Sequence, residues 1–411
     1  MTLLYKTAIY GYALMIRIAS IFNSKAQQFV KGRKGWEKRV AEQIETNGRY
    51  IWFHCASLGE FEQGRPVMEA IRKRFPQYRL ILTFFSPSGF EVRKNFPLAD
   101  IVSYLPMDTP RNARTFLQIV NPEKAFFIKY EYWYFYISEL KRRGIPFYLL
   151  SAIFRKDQHF FQDNIRGRWF RKMLWQFDHL FVQNEQSARL LSSVGIPHFS
   201  VSGDTRFDRV AAIASQSQEL PIVEKFKEGY PVVIAGSTWK PGEEMLAAFI
   251  QKSPGVKFII APHEVSESNI QRIRQLLPDK TIRYSEATAE TTGNYQVLIV
   301  DSIGLLSSLY RYGNIAYIGG GFGVGIHNIL EAATFGLPVV FGPHYNKFKE
   351  AVDLADLGGA FPVHDQKTMA ETLTNLLENS EERKKASSVC KTYVGKNVGS
   401  TNFIIKKVFK R

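Results

Sequence analysis

Two α/β domains, each a parallel sheet with helices on both faces, are the architecture this sequence predicts. Three observations carry the prediction. At 411 residues the chain exceeds one ordinary core and suits about two domains. Strand-like and helix-like runs alternate along most of it, which is the rhythm of a parallel sheet. The alternation stops after "GDTRFD" (203–208), passes through a polar helical stretch, "RVAAIASQSQELPIVEKFKEG", and restarts. The boundary is expected near 206–215, with a cleft between the halves where two substrates could meet.

The chain opens on a helix-like run. Lys6, Tyr10, Ala13, Arg17, Ser20 and Ser24 recur at helical spacing and share one narrow face. Leu3, Leu4, Ile9, Leu14, Ile16, Ile18, Ile21 and Phe22 cover the rest. Arg17 interrupts residues 7–22 and more basic residues follow, which argues against an exported leader. The run is also short for a bilayer span of about 20 apolar residues. A broad apolar face with basic flanks reads as a helix lying in the membrane interface. A helix packed on the protein's own core is the other reading.

The first strands are "YIWFHC" (50–55), "YRLILTFF" (78–85), "KAFFIKY" (124–130), "PFYLLSA" (146–152), "HLFVQN" (179–184) and "FSVSG" (199–203). Helices are expected over 66–76 and about 132–143. The second series is "PVVIAGS" (231–237), "VKFIIAP" (256–262), "QVLIVD" (296–301), "IAYIGG" (315–320) and "LPVVFGP" (337–343). Helices over 241–252, 265–277, 303–311, 327–335 and 346–357 separate or follow these strands. A terminal helix is expected over about 381–411.

Two cysteines, Cys55 and Cys390, give neither a disulfide framework nor a metal cluster and fit a reducing compartment. The net charge is +16, which suits anionic partners. The excess lies in the first half: residues 1–40 carry +7 and residues 141–172 another +7. No zinc-finger spacing or RNA-binding signature accompanies it, so no nucleic acid is expected. A solvated basic face remains the plain alternative.

In open α/β sheets ligands sit beyond the carboxyl ends of the strands. Glycine-rich and acidic segments concentrate there. "GGGFGVGIHNILE" follows 315–320 and resembles a dinucleotide fingerprint only loosely, because it falls late in its domain. Glycines ahead of a helix could leave backbone N–H groups for a phosphate. Glu331, four residues after His327, could accept hydrogen bonds from ribose hydroxyls. A tight strand–helix turn is the structural alternative. In "GSTWKPGEE", Ser237 and Thr238 could hold a phosphate or cap the helix expected near Pro241. In "HCASLGEFEQG", Glu60 could act as a general base, with Glu62 as local rival. A charge complementing the helix dipole would explain Glu60 equally well.

"SLGE", "EYW", "GDTRFD", "GSTWKPGEE" and "GIHNILEAATFGLPVVFGPHYNKF", in this order, resemble the 3-deoxy-D-manno-octulosonic acid (Kdo) transferases of lipopolysaccharide synthesis. The similarity runs from about residue 1 to 400. The resemblance implies a GT-B glycosyltransferase, two Rossmann-like domains facing a central cleft, with an N-terminal membrane-associated helix. It implies a membrane-associated segment over 1–40, an acceptor domain over 41–208, a CMP-Kdo domain over 209–390, and a terminal helix over 391–411 that packs back toward the first domain. Such enzymes move Kdo from CMP-Kdo to a lipid A precursor at the cytoplasmic face of the inner membrane, inverting the anomeric centre. They would need no metal and no cofactor. Glu60 would be the base, and Glu131 and Arg206 would serve the acceptor. Ser237, Thr238, His263, Gly325, His327, Asn328 and Glu331 would serve the donor. The chain departs from the family pattern at Arg206 (usually Lys), at Ile326 (usually Gly), at Ile329 (usually Pro), and before His263, where an Arg is missing. Another nucleotide-sugar enzyme of this fold, such as an epimerase, or a non-catalytic membrane-bound sugar-binding protein are the rival readings.

Overall fold

The computed structural model describes residues 1–323 and 325–409. The last two positions of the segment expected over 391–411 lie outside the described residues. The chain divides into two units, Met1–Asp208 together with the chain from Gly399, and Arg209–Val398.

The first unit contains β1 (Arg49–Cys55), β2 (Tyr78–Phe84), β3 (Ile101–Tyr104), β4 (Lys124–Ile128), β5 (Phe147–Ala152), β6 (His179–Val182) and β7 (Phe199–Val201). Among the described residues they form one seven-stranded sheet, β3-β2-β1-β4-β5-β6-β7, with every pair parallel. Alternate residues feed two cores, as the period of a strand requires. Trp52, Phe127 and Leu149 join Phe116 and Tyr136 on one face. Phe53, Phe126 and Leu82 join Phe61, Ile404 and Ile405 on the other. The short edge strand β3 was not expected from the sequence.

The single helix expected over 381–411 is two helices, Ser380–Asn397 and Ser400–Val408. Gly399 breaks it with φ +120°, a conformation side chains disfavour. Asp208 then caps the second helix, its two carboxylate oxygens accepting from Gly399 N–H at 2.6 Å and Thr401 N–H at 2.7 Å. The ring of Phe75 stacks on Phe409 at 4.5 Å. Asp208→Ala should cost ~1–2 kcal/mol, the usual loss of a cap. Thermal unfolding would register it as a lower Tm, and an unchanged Tm would remove the cap from this account.

The N-terminal helix spans Thr2–Ala19, and none of its residues is buried. Ser24, assigned from sequence to its polar face, instead starts the next helix, Ser24–Arg33, capped by Asn23. Tyr5, Ile9 and Ile16 are half-buried against the unit. Tyr5 donates to Asp108 at 2.6 Å and its ring lies 5.6–5.8 Å from Tyr134, Phe135 and Trp169. The opposite side and the turn that follows the helix are bare and apolar: Leu14 is 59 % exposed, Ile18 55 %, and in the turn Ile21 72 % and Phe22 86 %. Among the described residues no helix is long and apolar enough to cross a membrane.

The second unit contains β8 (Val232–Thr238), β9 (Lys257–Pro262), β10 (Thr281–Arg283), β11 (Val297–Ile299), β12 (Ile315–Ile318), β13 (Val339–Phe341) and β14 (Ala360–Pro362). Among the described residues these make a second seven-stranded parallel sheet, β10-β11-β9-β8-β12-β13-β14. Val233, Ala235, Ile260, Tyr317 and Val340 pack against Leu246, Ile270, Leu373 and Leu376. The three-residue strands β10 and β14, at the two edges, are additions to the sequence reading.

Candidate active site

In the first sheet β1 lies between β2 and β4, where the strand order reverses. The loops that leave β1 and β4 diverge there and open a crevice at the carboxyl ends. Glu60 follows β1, in the first turn of a helix over Leu58–Arg74. That helix begins eight residues before the expected position 66, because Pro66 lies inside it rather than at its start. A proline there removes one helical hydrogen bond, and burial of Phe61, Val67, Met68 and Ile71 offsets the loss.

Glu60 accepts a hydrogen bond from the Ala56 N–H, one residue before the N-cap Ser57, and lies in the helix's first turn. The helix-end reading of this residue is therefore true as geometry. It does not account for the electrostatics. Burial, and next the charge of Glu131, push the Glu60 carboxyl up to about 8, against the opposing pull of Ala56 N–H, Lys129 and Ser57 N–H. The rival Glu62 is paired with Arg93 at 2.9 Å.

Glu131 follows β4 across a turn at Lys129, whose φ of +66° is unusual for a side-chain-bearing residue. Its carboxylate is buried. Oε2 lies 2.8 Å from His54 Nε2 and 2.5 Å from Trp133 Nε1. The acid expected to serve the acceptor is thus turned toward His54 and Trp133. Arg206 is ion-paired with Asp204 at 2.7 Å. Thr205 donates to the Gln63 carbonyl and Gln63 Nε2 to Asp204 at 3.4 Å, so "GDTRFD" is held on the helix that carries Glu60.

In the second sheet β8 lies between β9 and β12, again at the reversal. The sequence-derived donor residues gather beyond these three strands. Ser237, with φ +50°, is the penultimate residue of β8 and lies at a register shift between Gly236 and Thr238. Thr238 is buried and its hydroxyl donates to Glu243 at 2.7 Å, so its side chain is turned inward. Glu243 also receives Arg272. Neither Ser237 nor Thr238 caps the following helix, Lys240–Ile250, whose N-cap is Trp239 without a side-chain bond. Trp239, His263 and His327 form a stack: Trp239 to His263 is 4.6 Å, His263 to His327 is 4.6 Å, and Trp239 Nε1–H donates to His327 Nε2 at 2.9 Å. Burial, and then the neighbouring His263, lower the pKa of His327. A cavity of about 270 Å³ lies beside the stack, lined by Trp239, Pro241, Tyr317, Gly320 and Phe322. A larger hollow, about 640 Å³, lies at Glu219–Lys227 and Arg311–Tyr312 and shares none of these residues.

The glycine loop departs from its sequence reading. The helix expected over 327–335 shrinks to Leu330–Ala333, so His327 and Asn328 lie outside it and no long helix end faces a phosphate. Gly323, Gly325 and His327 donate their N–H groups to Gly320, Gly320 and Gly319 carbonyls at 2.9, 3.2 and 3.1 Å. What the glycines provide is close approach. A Cβ at Gly319 would lie 2.0 Å from the Ser237 carbonyl, and one at Gly321 2.6 Å from Gly342 N. Gly325, at φ +138°, completes the turn. Ile326 and Ile329, the departures from family glycine and proline, are both buried. Glu331 accepts from Ser307 at 3.0 Å and Asn328 at 3.1 Å.

His54, Trp239 and Ser307 escaped the sequence reading. A histidine inside the otherwise apolar "YIWFHC" was the available signal for the first. Trp239 sits inside a quoted motif without a stated role. Ser307 had none. Among the described residues no group of three or more His, Cys, Asp and Glu side chains is disposed to hold a metal ion.

Residues 32–209 match the family model for 3-deoxy-D-manno-octulosonic-acid transferase (kdotransferase). The 3-deoxy-D-manno-octulosonic acid transferase of Haemophilus influenzae is 26 % identical over 347 residues, covering 81 % of this chain and 80 % of that one. That of Aquifex aeolicus is 26 % identical over 343 residues, covering 81 % and 88 %. The fold is similar to that of UDP-GlcNAc 2-epimerase from Neisseria meningitidis, with TM-score 0.61 at 16 % identity, over 88 % of this chain and 100 % of that one. The chain has two parallel-sheet domains of GT-B-like fold with polar clusters at both strand-order reversals, and the relatives it matches are glycosyltransferases. Over most of its length the chain is similar to the Kdo transferases.

Proposed function

We propose that this enzyme transfers Kdo from CMP-Kdo to a lipid A precursor in lipopolysaccharide synthesis, with inversion at the anomeric carbon and Glu60 as general base. The observation that carries the reading is Glu60 itself: a buried carboxylate at the strand-order reversal of the first sheet, raised to about 8 by burial and by Glu131. A base with a pKa near the working pH is suited to take a proton from a hydroxyl. The acceptor oxygen forms a bond to the anomeric carbon as the bond from that carbon to the CMP phosphate oxygen breaks. The hydroxyl proton passes to Glu60, and CMP leaves with the bonding electron pair. Arg206, held by Asp204, is assigned to the acceptor side, and Glu131 acts there through its charge on Glu60. On the donor side we assign Ser237, His263, Gly325, His327, Asn328 and Glu331, with Glu331 set toward the ribose and the stacked imidazoles toward the anionic groups. Thr238 acts by holding the β8 turn through Glu243. No cofactor or metal enters this scheme.

The bare apolar side of the N-terminal helix supports attachment to the membrane surface. The basic excess over residues 1–40 supports anionic lipid there, at the inner membrane's cytoplasmic face. Replacing Leu14, Ile18, Ile21 and Phe22 together by Ser should reduce partition to anionic vesicles at least about ten-thousandfold, since four buried side chains contribute roughly 6–12 kcal/mol together. Undiminished vesicle binding would contradict the attachment.

The function is tested by following CMP release from CMP-Kdo with and without a lipid A precursor. Release that requires the lipid is expected. Release indifferent to it would favour an enzyme acting on the nucleotide sugar alone, and no release would favour a sugar-binding protein.

A further inference from the structure

His54 is wholly buried in β1, in a strand otherwise given to packing. Its surroundings fix where its protons are. Nδ1 lies 2.9 Å from Thr83 Oγ1 and 3.2 Å from the Thr83 carbonyl. The Thr83 hydroxyl donates to the Phe53 carbonyl at 3.2 Å and accepts from Trp52 Nε1–H at 2.8 Å. It therefore offers His54 a lone pair, and Nδ1 must carry hydrogen. On the other edge, Nε2 faces Glu131 Oε2 at 2.8 Å. Two bare acceptors do not tolerate that distance, so a proton lies between them. Trp133 Nε1–H has both atoms within reach, Oε2 at 2.5 Å and Nε2 at 3.0 Å, and the nearer takes it. Oε2 then receives two donors, the indole N–H and the imidazole N–H. Two donors on one carboxylate oxygen favour the ionised acid. His54 and Trp133 thus converge on one oxygen of Glu131.

We propose that His54 is a positioning residue for the transfer: by holding Glu131 as a carboxylate, and by offsetting its charge, it sets the pH at which Glu60 becomes a competent base. This rests on the assignment of Glu60 as the base. The other charged and titratable groups around Glu60 are Lys129 and Tyr130 after β4, Tyr132 beyond them, Cys55 at the end of β1, and Glu62 on the same helix. Lys129 pulls Glu60 toward ionisation and Glu131 opposes it, so Glu60 stands between a cation and an anion whose own partner is His54.

The test is the pH profile of kcat/KM for Kdo transfer in the whole enzyme. His54→Gln keeps an amide donor toward Glu131 but removes the positive charge. Its acid limb should move up by about one pH unit, since Glu131 then faces Glu60 without a counter-charge. Glu131→Gln removes the negative charge and should move the limb down by a similar amount. Opposite displacements are the expected result. A limb that stays in place while kcat falls at every pH would overturn the proposal. The ¹⁵N signals of His54 provide a reading that needs no folded variant: both ring nitrogens protonated at neutral pH is expected, and a neutral imidazole overturns it. Should Glu60→Gln retain turnover, the base assignment fails. Should that variant be inactive while the limbs stay fixed, the role of His54 alone fails.

Discussion

Glu60→Gln is expected to retain CMP-Kdo binding and to lose Kdo transfer by about a thousandfold, within the usual contribution of a general base. The substitution keeps size and a hydrogen-bond acceptor for the Ala56 N–H that Glu60 now receives. The helix start should therefore survive, and the loss should fall on kcat. The pH dependence gives the sign. With the carboxyl raised to about 8 by burial and the Glu131 charge, protonated Glu60 dominates below that value and cannot accept a proton. Wild-type kcat/KM should rise as pH climbs through this region and level off above it. The residual activity of the variant should lack that rise. Transfer near the wild-type rate in Glu60→Gln would remove the residue from the chemistry and leave it as a helix end.

Gly319→Ala is expected to destabilise the second domain by about 3 kcal/mol, lowering its Tm by about 6–12 °C, and to weaken CMP-Kdo binding more than tenfold. The added methyl would lie 2.0 Å from the Ser237 carbonyl oxygen, 2.7 Å from its carbon and 2.8 Å from Thr238 Cα. All three are backbone atoms at the end of β8, so no side chain can swing aside. The loop must retreat from the strand end that carries Ser237. Gly323→Ala is the matched control, since its methyl would meet the Gly320 carbonyl at 3.6 Å, an ordinary contact. Calorimetry and donor titration of both variants check the claim. Equal behaviour of the two would mean that close backbone approach at Gly319 is unimportant.

The central strands were legible because they are continuous apolar runs. A strand buried on both faces, such as Ile234–Ala235 or Leu149–Leu150, must be apolar along its length. The strands that escaped, β3, β10 and β14, have three or four residues each and lie at sheet edges. So short a run has no periodicity to detect. The terminal helix was read as continuous because nothing around Gly399 advertises a break except the glycine, and its cap, Asp208, lies 191 residues away. The helix after the glycine loop was overextended. Asn328 bonds both Glu331 and the Leu330 N–H, which holds the chain in a turn until residue 330.

For the site, Glu60 and Glu131 were found, but their relation was not. That His54, Thr83 and Trp133 converge on one carboxylate follows from the parallel pairing of β1 with β2 and the position of the loop after β4, information no local window contains. On the donor side, the inward turn of Thr238 arises from Glu243, five residues on and one helical turn into Lys240–Ile250. A motif names its residues without saying which of them face a ligand.

The most direct test incubates the wild-type enzyme with CMP-Kdo and a lipid A precursor and analyses the lipid by mass and by the NMR of its anomeric centre. The account predicts a lipid that has gained Kdo, linked with the configuration opposite to that of the donor. An unmodified lipid, or Kdo attached with the donor's configuration retained, would contradict it.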